Sequence, residues 1–183
     1  MDLFNLTTNL KNRFPVIREP VALHAQRAAV LVVLFNKNQR AHILMTKRAL
    51  HLKIHAGEIS FPGGVVEIED EYLLNTALRE TMEEIGLEVA PSQVIGCLPK
   101  VQTRTGFEIT PFVAILKSLP DLTACEDEVH EVLEMPLTAL LSTHQRDIGY
   151  KPSEEMVVYW YKCHRIWGAS AKILRQIENL TGI

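Results

Sequence analysis

The chain has 183 residues, of which 47% are apolar and 22% charged, with a formal net charge of −3. That length suits one domain, residues 1–183, with a sizeable core and leaves too little for two. The slight acidity excludes a nucleic-acid binder working through a broad positive field, and the longest apolar run, Ala28 to Phe35, is far too short to span a bilayer.

Taken in order, Leu3, Leu6, Leu10 and Phe14 recur at helical spacing, with Asp2 placed to cap the helix and Pro15 to stop it. Residues 1–26 thus read as an N-terminal helix and a connector, with no basic segment before a long apolar run and hence no signal peptide. Ala28 to Phe35 and His42 to Thr46 read as strands of a hairpin turning at Asn36 to Gln39. A polar loop, Lys47 to Glu58, leads to Ile59, and Pro62, Gly63 and Gly64 break the regular structure. A helix is expected from about Glu71 to Ile85, with Asp70 as N-cap and Gly86 as its stop. Strands follow at Val94–Val101, Phe107–Leu116 and Val129–Met135, then a short helix at Leu137–Ser142, a strand at Met156–His164 and an amphipathic helix at Ala169–Leu180. This order of elements suggests an α+β or α/β sandwich. Cys97, Cys125 and Cys163 are far apart and form no CxxC pair, so they read as reduced thiols rather than a zinc site or disulfide framework. A cytoplasmic enzyme or binding module fits these features.

On the helix from Glu71 to Ile85, residues three and four apart share a face. Leu74, Ala77, Leu78, Thr81 and Ile85 form a stripe expected on the sheet, and Glu80, Glu83 and Glu84 gather on the side away from it. Arg79, four residues before Glu83, offsets one of the three charges. A solvated acidic face is the plain interpretation, but Pro62, Gly63 and Gly64 lie just upstream, where glycine lets the backbone approach a ligand closely. Clustered carboxylates beside a backbone carbonyl are what a hard divalent cation takes as ligands, with substrate phosphates completing the shell.

Gly64, Asp70 and the block Arg79, Glu80, Thr81, Met82, Glu83, Glu84, Ile85, Gly86, Leu87 resemble the Nudix box: glycine, five residues, glutamate, seven residues, Arg-Glu, an aliphatic, any residue, Glu-Glu, any residue, glycine, aliphatic. Asp70 stands where glutamate is expected, Arg79 comes one residue late, and Thr81 replaces an aliphatic. A second likeness is narrower. Leu44 to Ala49, Lys53, Gly57 and Phe61 to Gly64 are similar at every spacing to the motif upstream of the box in coenzyme A pyrophosphatases, with Met45 for leucine and Lys53 for arginine. Glu131, Val132, Met135 to Leu137 and Ile166 to Ala171 resemble later landmarks of that branch, so the likeness runs from about Leu44 to Ala171.

The resemblance implies an α/β/α sandwich around a mixed β-sheet and metal-dependent hydrolysis of the pyrophosphate of coenzyme A or its thioesters, giving phosphopantetheine and adenosine 3′,5′-bisphosphate. It implies Mg²⁺ or Mn²⁺ held by Glu80, Glu83 and Glu84 with the Gly64 carbonyl, and Arg79 orienting Glu83. Asp70 is either an outer ligand or only the helix cap. The general base is open among Glu80, Glu108, Glu128 and Glu131. Lys47, Arg48 and Lys53, with Gly63 and Gly64, are the substrate-binding candidates, the cations facing phosphates. Trp160, Tyr159, Tyr161 and Trp167 either stack on adenine or pack in the core. The expected partner is a small nucleotide substrate, with no nucleic acid or membrane, on a monomer or homodimer. The alternatives are a Nudix enzyme for ADP-ribose, a dinucleotide or a nucleoside triphosphate, and a catalytically silent nucleotide-binding Nudix domain.

Overall fold

The structure, a computed structural model, describes residues 3–21, 26–148 and 156–181. Strand β1 (Arg27–Lys37) is the spine of the sheet: it is enclosed from Arg27 to Phe35 and apolar from Ala28 to Phe35. It runs parallel to β7 (Glu108–Leu116) along its length. Its turn to β2 (Arg40–Arg48) is tighter than the sequence suggests, because Asn38 and Gln39 both take positive φ, at 51° and 60°. A two-residue turn of that kind follows the natural strand twist.

The pairing of β1 with β2 covers only Leu34–Lys37 against Arg40–Ile43. The two strands then part, and the segment read as a mere break fills the opening. Strand β3 (Ile59–Ser60) joins Thr46 and Lys47 of β2, while β4 (Gly63–Val65) joins Ala28–Val30 of β1. Pro62 spans the fork and accepts a hydrogen bond from the Leu31 N–H at 2.9 Å. Outside β2 lies β8 (Val129–Pro136), and beyond β7 lie β5 (Val94–Cys97) and β6 (Val101–Gln102). The expected single strand Val94–Val101 is therefore two, interrupted where Leu98 and Pro99 leave the ladder. The expected strand Met156–His164 is also divided, into β10 (Val157–Tyr161) and β11 (His164–Ile166), by a turn in which Lys162 takes φ 54°. With β9 (Gln145–Arg146) these form a second, three-stranded sheet.

Alternation along β1 divides the core. Ala29, Leu31, Val33 and Phe35 pack with helix α2 (Leu73–Ile85) on one face. Val30, Val32 and Leu34 pack on the other with α1 (Leu3–Arg13), α3 (Leu137–Leu141) and α4 (Gly168–Thr181). The molecule is thus a mixed α/β sandwich with an eight-stranded principal sheet. The cap expected from Asp2 lies outside the described residues. No helix among the described residues is long and apolar enough to cross a membrane.

Candidate active site

Helix α2 begins at Leu73, two residues later than expected, and its N-cap is Tyr72, not Asp70. The Asp70 carboxylate is engaged elsewhere. It accepts from the Arg79 guanidinium at 3.2 and 3.0 Å, from Thr76 Oγ1 at 2.9 Å and from the Glu67 N–H at 2.9 Å. Burial raises its pKa, but these hydrogen bonds and the guanidinium charge outweigh that and hold it below the usual carboxylate range. Asp70 thereby fixes Arg79, whose Nη1 donates to both Glu80 and Glu83 at 3.0 Å, while Nη2 reaches the Val65 carbonyl. The Arg79 pKa is raised, first by the hydrogen bond to Asp70.

The buried face of α2 differs from the expected stripe. Leu73, Thr76, Ala77, Thr81, Glu84 and Ile85 are enclosed, whereas Leu74 and Leu78 are half-buried. Glu84, expected on the outer side, is 3% exposed. It can lie there because the sheet is forked at this point and the Gly63 N–H, at the start of β4, donates to its Oε2 at 3.3 Å. Burial pushes the Glu84 carboxyl up to about 8, with Glu80 and Glu128 adding to the rise and Gly63 and Arg48 opposing it. Glu80 is also raised, chiefly by burial.

A third carboxylate arrives from the loop before β8. The last carbonyls of a helix lack partners inside it. Here Cys125 N–H donates to Glu84 O at 2.8 Å and Thr123 N–H to Ile85 O at 3.0 Å, while Gly86 ends the helix at φ 66°. Glu128 N–H returns to Cys125 O, and Ala49 N–H takes the Glu128 carbonyl at 2.8 Å. The docked loop brings carboxylate oxygens of Glu80, Glu84 and Glu128 within 4.8 Å of one another. Glu83 is not in this group; its side chain is 56% exposed and pairs with Arg79.

Both glycines of the fork have close neighbours where a side chain would start. A Cβ on Gly63 would strike the Ala29 carbonyl and Val30, and one on Gly64 would overlap the Glu80 carboxylate. Of the other base candidates, Glu108 is paired with Lys100 at 2.9 Å, and Glu131 faces Lys47 across the β2–β8 ladder. Lys47 and Arg48 belong to β2, not to the polar loop, and are half-buried; Lys53 is exposed on the loop. Tyr159 is fully buried and donates to Glu178 at 2.8 Å, and Arg165 lies over Trp167, so among the aromatic candidates only Trp160 is exposed.

Sequence reasoning reached Glu128 only as one of four possible bases, not as a member of the carboxylate group. Its one signal was position: it immediately precedes the strand that pairs with β2, but that pairing cannot be read from the chain.

Three nearby carboxyls, one of them buried and two shifted upward, form a donor set that fits a divalent cation and is poorly satisfied without positive charge. A sequence profile of the NUDIX domain matches residues 25–156, the segment that contains the whole fork, α2 and Glu128. The chain belongs to the Nudix family. Over 191 aligned residues it is 38% identical to the "Uncharacterized Nudix hydrolase NudL" of Salmonella newport (strain SL254), covering 100% of this chain and 99% of that protein. The Nudix fold recurs in two solved structures. The NUDIX domain of Shewanella oneidensis NrtR, complexed with ADP ribose, aligns with TM-score 0.59 at 18% identity over 85% of this chain and 87% of that one. The MutT/nudix family protein from Enterococcus faecalis aligns with TM-score 0.61 at 15% identity over 98% of this chain and 69% of that one. Nudix hydrolases generally use divalent ions such as Mg²⁺ or Mn²⁺, in keeping with this donor set.

Proposed function

We propose that this chain hydrolyses the pyrophosphate bond of coenzyme A or one of its derivatives, giving a phosphopantetheine product and adenosine 3′,5′-bisphosphate. The observation that carries the hydrolytic reading is the buried Glu84 carboxyl beside Glu80 and Glu128. The substrate choice is supported by the motif from Leu44 to Gly64, whose two ends line the forked sheet where those carboxylates meet.

Glu80, Glu84 and Glu128 would hold the cation, with the Gly64 carbonyl and Glu83 as further candidates. When bound, Mg²⁺ or Mn²⁺ neutralises phosphoryl oxygens as a Lewis acid. Arg79, fixed by Asp70, orients Glu80 and restrains Glu83. Enclosure of Glu84 under the fork keeps competing water from one side of the site and strengthens the electrostatics there. The oxygen of water bonds to one phosphorus as the bridging P–O bond to that phosphorus breaks and the other phosphate leaves with the bridging oxygen, while a carboxylate takes the proton of the water; whichever of Glu80 and Glu128 is not engaged by the cation is the candidate for that. Lys53, out on the loop, is the candidate cation for the substrate's 3′-phosphate.

Incubation with coenzyme A, ADP-ribose, a dinucleoside polyphosphate and ATP, each with Mg²⁺ or Mn²⁺, followed by product masses, tests the proposal. Formation of adenosine 3′,5′-bisphosphate from coenzyme A as the fastest reaction is expected. Intact coenzyme A alongside cleaved ADP-ribose would move the substrate; no cleavage and no Mn²⁺ binding would overturn the enzymatic reading.

A further inference from the structure

Arg27, the first residue of β1, holds two parts of the carboxylate site from one place. Its carbonyl accepts the Val66 N–H at 3.2 Å, just where the chain leaves β4. Its buried guanidinium turns to the connector after α1, donating to the Glu19 carboxylate and, at 3.4 Å, to the Pro20 carbonyl. Lys100, just before β6, donates to the same Glu19 oxygen at 2.9 Å, and Glu108 faces both cations. Burial raises the Glu19 pKa, but the hydrogen bonds from Lys100 and Arg27 outweigh that and hold it below the usual carboxylate range.

The clamped connector then meets the start of α2. Pro20 forms an antiparallel bridge with Tyr72. On either side of it, Leu73 N–H donates to Glu19 O at 3.1 Å and Val21 N–H to Glu71 O at 3.3 Å. The helix needs this help. The first N–H groups of a helix have no partner within it, Tyr72 gives no side-chain cap, and the first turn of α2 holds no acid. Leu73 is fully buried, so Glu19 rather than solvent satisfies its N–H.

The consequence lies farther along the helix. Glu80 and Glu84 ride on α2, whereas Gly63 and Gly64, which lie against them, ride on β4. A helix advances about 1.5 Å per residue, so a slip of a fraction of one step would break the 3.3 Å contact between Gly63 N–H and Glu84. Thr123 and Cys125 hold the C-terminal end of α2. At the other end, helix and β4 are both referred to Arg27, the first through Glu19 and the second directly.

We infer that Arg27 and Glu19 are positioning residues for the carboxylate group, setting through the start of α2 where Glu80 and Glu84 stand against the fork. The inference rests on the hydrolase reading and gives the connector ahead of the Nudix domain a part in it.

The test is isothermal titration of Mn²⁺ into the full chain, well below the unfolding midpoint. In Glu19→Ala, Mn²⁺ is expected to bind about tenfold more weakly, the low end for groups that orient metal ligands without touching the metal. Glu19→Gln keeps an oxygen for Arg27 and Lys100 and is expected to recover most of that loss. Leu6→Ala, in the core on the face of the sheet opposite α2, is the control for stability alone. It should lower the midpoint and leave Mn²⁺ affinity as in the wild type. Coupling between sites is mutual, so saturating Mn²⁺ is also expected to slow hydrogen exchange at the Val21 and Leu73 amides of the wild type. Full Mn²⁺ affinity in a folded Glu19→Ala chain would overturn the inference, as would a matching loss in Leu6→Ala. Exchange at Val21 and Leu73 that Mn²⁺ leaves untouched would overturn it too. Should Glu19→Ala fail to fold, Lys100→Met takes one of the two cations from Glu19; a smaller loss of Mn²⁺ affinity is expected there, and none would count against the clamp. A wild-type chain that binds no Mn²⁺ would instead sink the hydrolase reading, before any substitution is made.

Discussion

Removing the carboxylate charge at position 84 and removing it at position 83 are different experiments, although both residues belong to the Glu-Glu pair of the box. Glu84 is buried and grouped with the half-buried Glu80 and the exposed Glu128, and Glu83 is on the rim with Arg79. Glu84→Gln and Glu80→Gln are therefore each expected to lower turnover by at least about a hundredfold, and Glu83→Gln by less, if loss of a ligand exceeds the effect of disturbing its surroundings. Steady-state rates with coenzyme A and Mg²⁺ check that order, and Glu83→Gln as the worst of the three would reverse the ligand ranking. Asp70 acts differently, on stability. Its side chain is 3% exposed and pairs with Arg79, and its folded pKa lies below the unfolded value of about 3.9. Its charge thus stabilises the fold fully above about pH 4, and that stabilisation is lost as pH falls through the folded pKa. Asp70→Asn should cost about 3 kcal/mol at pH 7, as for breaking a buried pair, and the gap from wild type should narrow in acid. Urea unfolding at pH 7 and pH 3 measures both; an equal gap at the two pH values would mean that the charge is not the source.

Among the elements, strand β4 ties the site to the sheet, and its two glycines separate stability from activity. Gly63 has φ 149° and faces the backbone of β1, which cannot yield. Gly63→Ala is expected to destabilise the protein by about 2 kcal/mol or more, the scale of a strained backbone position, seen as a fall in the unfolding midpoint. The atoms nearest a Cβ on Gly64 belong to the end of the Glu80 side chain, which can swing aside. Gly64→Ala should leave the midpoint nearly unchanged while weakening Mn²⁺ binding and turnover; full Mn²⁺ affinity in that variant would show that Glu80 is not held where the structure puts it. The helices were legible in the chain because their periodicity is local: α3 and α4 lie within a residue or so of their expected spans. The fork was not. Pro62 to Gly64 carries the signals of a break, and Gly63 and Gly64 become strand only because β1 and β2 diverge and leave ladder positions open on both sides. The same long-range pairing explains Glu84, since a helical wheel assumes a continuous sheet beneath it, and Glu128, whose loop docks by backbone bonds that no residue pattern announces.

At the scale of the whole molecule, the three thiols report on three layers of one structure. Cys163 is exposed in the turn between β10 and β11, Cys125 is half-buried in the loop that caps α2, and Cys97 is buried at the end of β5. Burial pushes the Cys97 thiol up to about 11, so at pH 8 almost none of it is the reactive thiolate. Iodoacetamide at that pH should therefore modify Cys163 first and Cys125 more slowly, reaching Cys97 only through global unfolding. The middle thiol carries the functional information. Its N–H holds the Glu84 carbonyl, its carbonyl holds the N–H groups of Glu128 and Val129, and its side chain is half-buried, so it is alkylated faster when this loop leaves the end of α2. A cation shared by Glu84 and Glu128 binds the closed arrangement and not the open one, and anything with that preference suppresses opening in proportion to its saturation. Saturating Mn²⁺ is expected to slow Cys125 labelling about tenfold or more when present well above its dissociation constant, while Cys163, exposed in its own turn, keeps its rate. Mass spectrometry of tryptic peptides along a labelling time course separates the sites. Equal rates at Cys125 with and without Mn²⁺ would mean that the ion does not join helix to loop, and Glu128 would then have to be removed from the ligand set.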